Sequence, residues 1–453
     1  MTMKELFAPS DMTVGKPWEK IVAFTIPMLI GNIAQQLYNT VDSIVIGKYV
    51  GDNALAAVGS ASPILNLLLV LFVGISVGAG VMVSQYFGAK QKKELSMTIG
   101  NCVTLTAISS IIIMILGAVL SRPLLEMLKT PDSIIDWCTS YLVILMVGCA
   151  GSAYYNILCG ILRGLGDSIS ALIYLLVATV INIVLDIVFV SQFHMGVAGV
   201  AYATVIAQAI SAVLCMWRLM RMTDIFDFKP KYLKMKKQYS MEIIRLGLPS
   251  GITQAIFSMA MVIVQSLTNS FGEMVIAANV IIMRVDGFAM MPNFSFGTAM
   301  TTYAGQNVGA GKLDRVGKGL KSASFIGGIY AIIAFFVLSL FGRQIALLFV
   351  SADETAILDQ VKQFLVFNTA FYIPLCLVNT VRFCIQGMGY SRLAILAGVC
   401  EMVGRIIASL VLVPLIGFVG ICLASPIAWI MADLFLVPAY CHTINRMKKI
   451  LAS

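Results

Sequence analysis

Long apolar runs separated by short polar loops recur along almost the whole chain. The runs do not alternate apolar with polar residues, so they predict helices and not strands. A bilayer-crossing helix needs about 20 apolar residues. Twelve runs meet that need, at roughly 18–46, 54–83, 97–120, 137–162, 169–192, 197–220, 243–270, 276–305, 321–342, 360–386, 392–415 and 418–441. The longest polar stretch, Thr223 to Ser240, lies midway and carries Asp224, Asp227 and five lysines. It reads as a linker between two six-helix lobes. The expected organisation is a segment 1–17, a first lobe 18–222, a linker 223–240, a second lobe 241–442 and a tail 443–453.

Composition narrows the fold class. Only 12% of the 453 residues are charged and 59% are apolar, with mean hydropathy +0.92. A soluble protein carries roughly 25% charge, and no soluble fold of this length hides so much apolar surface. Barrels of strands need alternation that is absent, so the chain is an all-α polytopic membrane protein. Ten cysteines sit mostly in apolar runs without Cys-x-x-Cys spacing, so they read as small buried hydrophobes and no metal site is expected. Residues 1–16 show no apolar core or cleavage site of a signal peptide.

The net charge of +9 does not point to nucleic acid, because the bases lie in loops between spans. With the N-terminus inside, 24 Lys and Arg fall in inner segments, counting from Lys4 and including Arg382, and 5 in outer ones. That bias predicts a multi-pass protein of the cell membrane with both termini cytoplasmic.

The two halves repeat. Shifted by 221 positions, Gly51, Ala56 and Ala57 fall on Gly272, Ala277 and Ala278, and Gln85-x-x-Gly88-Ala89 falls on Gln306-x-x-Gly309-Ala310. At an offset of 223, Asn156 meets Asn379, Gly164 meets Gly387 and Gly166 meets Gly389. Pro27 pairs with Pro249. Six spans per half is an even number, so the repeat is parallel. Such pairs are typical of secondary transporters with alternating access.

Ionisable residues inside spans are costly and therefore candidates for function. They are Asp42, Asp186, Arg284, Asp286, Glu401, Arg405 and Asp433. Gln35, Tyr38, Asn39 and Asp42 fall at i, i+3, i+4 and i+7 and share one helix face. Pro27 permits a kink before them and is the expected hinge. The alternative for Asp42 is a place at the headgroups near Lys48. Thr179, Asn182 and Asp186 form a second stripe, deep in the fifth span with no cation at helical spacing. Two carboxylates in one dry lobe repel, and a proton shared between them can be loaded and released. Asn156, and Thr204 with Gln208, can complete the polar lining.

The second half differs. Glu401 and Arg405 stand at i, i+4 and can pair, while Arg284 and Asp286 cannot face each other but can reach that pair across helices. Two acids and two bases suggest a static charge network, with gating as the alternative. The repeat sets Arg405 opposite Asn182 and Ser409 opposite Asp186, so the ion site is expected in the first lobe alone. Asp433 has no close partner in sequence. For substrate, the 26 Met and 24 Phe matter, and the eighth span offers Phe288, Met290, Met291, Phe294, Phe296 and Met300 as an adaptable apolar surface. Carboxylates beside aromatic rings favour organic cations.

The paired Gln-x-x-Gly-Ala elements, the Arg163-Gly-Leu-Gly-Asp167 turn, Asn182-x-x-x-Asp186 and Asp42 together resemble the multidrug and toxic compound extrusion (MATE) family, over essentially the whole chain. The resemblance implies two six-helix lobes in a V shape and drug efflux driven by inward H⁺ or Na⁺. It also implies that the residues matching Asp42, Asn182 and Asp186 take part in cation coupling. The family's Na⁺-coupled branch carries an acid in the seventh span. Here that span holds Gln254, Gln265 and Asn269, with no carboxylate before Glu273 at its end. This favours H⁺ as the coupling ion, with Na⁺ as the alternative and no other cofactor. A lipid-linked oligosaccharide flippase would need a cationic cavity, whereas the in-span charges are five acids against two bases. An intramembrane enzyme would need a nucleophile–base pair or metal ligands, and neither His-Glu-x-x-His nor Gly-x-Ser-x-Gly occurs. The expectation is a monomeric antiporter that meets the bilayer and small organic substrates, and is not an enzyme.

Overall fold

The computed structural model describes residues 8–452, the side chain of Val262 excepted. Lys4 lies outside the described residues. Among those described there is no strand. In chain order the helices are α1 (Pro17–Tyr49), α2 (Asp52–Gly88), α3 (Lys92–Met127), α4 (Ile135–Val147), α5 (Cys149–Gly164), α6 (Ser168–Ile187) and α7 (Gly196–Met220). After a short α8 (Pro230–Leu233) come α9 (Lys237–Asn269), α10 (Glu273–Gly309), α11 (Leu313–Ala346), α12 (Thr355–Thr369), α13 (Tyr372–Gly387), α14 (Arg392–Ile407), a short α15 (Val413–Ile416) and α16 (Phe418–Ala452). A π-helical turn follows α6 at Val188–Gln192 and another follows α14 at Ala408–Leu412.

Ten of these segments are long and apolar enough to cross a bilayer alone. Two further spans are bent pairs: α4 meets α5 at 53° and α12 meets α13 at 51°. With each pair counted once, the described residues hold the twelve spans that the apolar runs predict. The first bend falls at Gly148, where a Cβ would lie 2.5 Å from the Val205 side chain. The second falls at Ala370–Phe371, where Pro374 can offer no N–H to the Ala370 carbonyl four residues earlier.

The repeat is written in the backbone. Gly51 (φ 114°) starts α2 and Gly272 (φ 98°) starts α10, in conformations that only glycine adopts without strain. Gly166 (φ 84°) and Gly389 (φ 93°) occupy matching turns after α5 and α13. Both pairs keep the offsets of the sequence repeat.

The chain divides into two compact units. The first contains residues 8–11 and Ile26–Gly251; the second contains Met12–Thr25 and the chain from Ile252 onward. The divisions therefore fall inside α1 and α9, beside Pro27 and Pro249, and not within 223–240. That segment is no tether. Thr104 Oγ1 on α3 donates to the Leu233 carbonyl at 2.5 Å, and Asn101 Oδ1 accepts from Lys236 N at 2.7 Å and from Ser240 Oγ at 3.2 Å. Its polarity reads as a linker, and its backbone and side chains satisfy polar groups of α3.

Small residues set the helix spacing in both units, as is usual where lipid removes the hydrophobic drive between helices. In the first, α2 and α5 touch through Gly80, Gly160 and Gly164: a Cβ on Gly164 would stand 2.7 Å from the Gly80 carbonyl oxygen. The start of α9 lies equally close to α2, with a Gly247 Cβ falling 2.1 Å from the Gly74 oxygen. In the second unit α10 and α13 repeat the first contact, where a Gly387 Cβ would lie 2.4 Å from the Thr301 oxygen.

Candidate functional site

Inside the first unit, three helices bring polar side chains together in an apolar bundle. Tyr38 and Asp42 come from α1, Asn182 and Asp186 from α6, and Thr204 from α7. Asn182 and Asp186 have no exposed surface. The Asn182 amide sits between two carboxyls, which are acceptors, so its nitrogen faces them: 2.9 Å to Asp42 Oδ1 and 3.0 Å to Asp186 Oδ2. Its oxygen accepts from Thr204 N at 3.3 Å and from the Tyr38 hydroxyl at 3.2 Å. The Tyr38 hydroxyl is also 3.2 Å from Thr204 Oγ1.

Both acids face the same Asn182 nitrogen, and two carboxylates so close repel, which favours a proton on one of them. Asp186 Oδ1 is buried and has no partner among the described residues. Tyr141 on α4, 9% exposed, stands within electrostatic reach of both acids. The π-turn at Val188–Gln192 begins two residues after Asp186, and such turns recur at functional sites.

The structure sorts the other expected lining residues. Gln35 and Asn39 are exposed, and neither is among the hydrogen-bond partners of Asn182. Thr179 turns back on its own helix and donates to the Leu175 carbonyl at 2.8 Å. Asn156 likewise donates to the Ser152 carbonyl at 2.8 Å. Gln208 Oε1 is buried and has no hydrogen-bond partner among the described residues. Asp42 is engaged with Asn182 and not with Lys48, whose ammonium lies over the Tyr49 ring at 5.7 Å. Tyr141 was not found from sequence, because a single tyrosine in an apolar run carries no periodic signal.

The second unit corrects the expected four-residue network. Glu401 bridges two arginines: Arg405 one turn along α14, at 3.3 Å, and Arg382 on α13. All three side chains are at most 5% exposed. Both guanidiniums also face the Phe257 ring, at 5.1 Å and 5.4 Å. Arg382 was counted with the inner loops although it falls within the span 360–386, and the structure moves it into the bundle. Asp433 on α16 stands within electrostatic reach of Arg382, and its Oδ1 has no hydrogen-bond partner among the described residues.

Arg284 and Asp286 are not part of this bridge. Arg284 is exposed. Asp286 Oδ1 instead accepts from Asn368 Nδ2 on α12 at 2.8 Å and from the Tyr372 hydroxyl on α13 at 2.5 Å. Of the proposed apolar substrate surface on α10, Met300 is fully buried in packing, whereas Phe288 and Phe294 are exposed and Phe294 meets Phe383 edge-on at 5.4 Å. No group of three or more His, Cys, Asp or Glu suited to a metal occurs among the described residues.

The MatE family model matches residues 27–188 and again 249–411, one copy in each half of the repeat. The chain belongs to the MATE family. It is a membrane transporter and not an enzyme. Among curated proteins it is 30% identical over 372 residues, 82% of each chain, to the probable multidrug resistance protein YpnP of Bacillus subtilis (strain 168). It is 29% identical over 345 residues, 75% of this chain and 74% of the other, to the probable multidrug resistance protein YoeA of the same strain. Its fold is similar to an outward-facing MATE transporter of the MOP superfamily, with TM-score 0.90, 24% identity and coverage of 97% of this chain and 99% of that one. It is also similar to a MATE crystallised in a bent conformation, with TM-score 0.89, 23% identity and full coverage of both chains.

Proposed function

We propose that this transporter exports amphipathic organic compounds, chiefly cations, across the cell membrane in exchange for protons, by alternating access of its two lobes. The observation that carries the reading is the Asp42–Asn182–Asp186 cluster: two acids bridged by one amide, in a bundle where no base pairs with them among the described residues. One proton on that pair neutralises half its charge, and its loss leaves a doubly anionic site. Family membership supports the transport cycle, and the relatives named as multidrug resistance proteins support the breadth of substrate. The exposed Phe288 and Phe294 of the second unit support a preference for compounds with apolar bodies, and their ring faces favour cationic ones.

The test is dye efflux from proteoliposomes containing the purified chain. A proton gradient alone should drive it and a sodium gradient alone should not. Asp186→Asn should remove the proton-driven component while leaving dye binding. Sodium-driven efflux without a proton gradient would overturn the coupling, since the oxygens of the same cluster also suit Na⁺.

A further inference from the structure

Beyond the first unit's cluster, the second unit contains a half-buried carboxyl with no task in the proposed cycle. Asp286 accepts two hydrogen bonds on one oxygen, Oδ1, from Asn368 Nδ2 and Tyr372 Oη. Asn368 is 1% exposed, and its other polar atom, Oδ1, is buried with no hydrogen-bond partner among the described residues. A buried amide oxygen left unpaired is unfavourable, and each such atom in a native interior asks for a reason.

The chemistry of the pair supplies one. A carboxylic acid and a primary amide side by side form two hydrogen bonds, N–H to one carboxyl oxygen and O–H to the amide oxygen. Here the first is present, and the amide oxygen that would accept the second is unpartnered among the described residues. We propose that Asp286 is a second proton carrier, with Asn368 Oδ1 as the acceptor for its acidic hydrogen. On loading, hydronium gives its proton to Asp286 Oδ2, and the new O–H bond points at Asn368 Oδ1. On release that O–H bond breaks, the electron pair stays on the carboxylate and the proton returns to water. In the anion, Asn368 Nδ2 and the Tyr372 hydroxyl still hold Oδ1, so neither state requires the helices to move.

The groups facing Asp286 permit the change. On α11 it is Tyr330, whose hydroxyl is tied to the Ala289 carbonyl at 2.6 Å. On α12 it is Asn368 and on α13 Tyr372, while Arg284 of α10 itself is exposed. No Lys, Arg or His forms an ion pair with Asp286 among the described residues. The Arg382–Glu401–Arg405 bridge, by contrast, holds its one carboxylate between two guanidiniums, which keep it charged and leave it no place for a proton.

This inference rests on protons as the driving ion, and its test separates the two. Infrared difference spectra of the full chain in bilayers, between alkaline and acidic pH, should show the carbonyl band of a protonated carboxyl. The band should vanish in Asp286→Asn and persist in the Asp42→Asn/Asp186→Asn double variant. An Asp286→Asn spectrum identical to that of the parent overturns the proposal, whatever drives transport. If Asp286→Asn does not fold, Asn368→Leu serves: its band should shift to that of a free carboxyl, and an unshifted band also overturns the proposal. A band that responds to Na⁺ at constant pH assigns the site to a metal ion and overturns the proton. In transport, losing one of the exchanged protons should lower steady-state substrate accumulation about tenfold for each pH unit of gradient. Equal accumulation by Asp286→Asn and parent, at equal gradients, contradicts a role in coupling.

Discussion

Replacing Glu401 by glutamine should be among the most damaging single changes in the second unit. Glu401 is the carboxylate between Arg382 and Arg405, and all three side chains are sealed from solvent. Removing one partner of a buried ion pair typically costs about 3–5 kcal/mol, mainly because the remaining charge is stranded. Here two guanidiniums are stranded, and they are not equivalent. Arg382 retains Asp433 within electrostatic reach, whereas Arg405 retains the Phe257 ring at 5.4 Å and, among the described residues, no second carboxylate in an ion pair. The second change that best relieves the first is therefore removal of Arg405. Glu401→Gln/Arg405→Gln leaves Arg382 beside Asp433, a matched pair, and should regain about 2 kcal/mol of the loss. Glu401→Gln/Arg382→Gln leaves Arg405 without a carboxylate neighbour and should regain less. Thermal unfolding of the purified variants in one detergent gives the order directly. If the two double variants are equally stable, or if the single variant is no worse than either, the assignment of Asp433 to Arg382 is wrong. The three residues would then be three independent contacts and not one bridge.

Asp186→Asn should abolish proton-driven efflux in proteoliposomes without lowering the unfolding temperature, and Asp42→Asn should do the same, since asparagine keeps the hydrogen bonds but cannot carry the proton; efflux at the parent rate by either variant refutes their role. Gly247→Ala should destabilise the first unit by about 1–3 kcal/mol, because its methyl would meet the Gly74 backbone at 2.1 Å and a backbone atom cannot step aside as a flexible side chain can; an unchanged melting temperature would show that α2 and α9 separate freely. Transport should proceed in proteoliposomes with an ion gradient and no nucleotide; substrate movement that needs ATP and ignores the gradient would contradict a secondary transporter.

Span number and the repeat were legible because each rests on a one-dimensional signal. Apolar length marks a span, and a glycine that must take positive φ, such as Gly51 or Gly272, marks the same turn in each half. What the sequence withheld was the direction in which a stripe faces. Helical spacing groups Gln35, Tyr38, Asn39 and Asp42 on one arc, but only Tyr38 and Asp42 reach Asn182, because the arc is wider than the contact. Thr179 is held by a different contact. A threonine hydroxyl in a helix can satisfy itself on the carbonyl four residues earlier, as it does on Leu175, so a polar residue on the right face need not contribute to a site. Partners on distant helices left no trace at all: nothing in the spacing of Asp286 points to Asn368 and Tyr372, more than eighty positions away.

The position of Arg382 shows how one misplaced charge alters a functional reading. Counted as a loop residue it strengthens the orientation argument and leaves Glu401 to pair with Arg405 alone. Placed in the bundle, it makes the interior of the second unit a cation-rich bridge around one acid, while the first unit holds two acids around one amide. Matching backbones thus enclose opposite charge patterns, and the cause lies at corresponding places on α6 and α14, where the repeat pairs Asn182 with Arg405 and Asp186 with Ser409. An arginine at the first position neutralises an acid brought to it, and a serine at the second removes the carboxyl that would share a proton. The bridge is therefore a poor carrier of an exchanged ion, because every charge it loses strands another. Asp286, tied to an amide and a phenol and to no base, escapes that constraint. That is why a second carrier in this unit is to be sought at α10 and not at the helix the repeat would nominate.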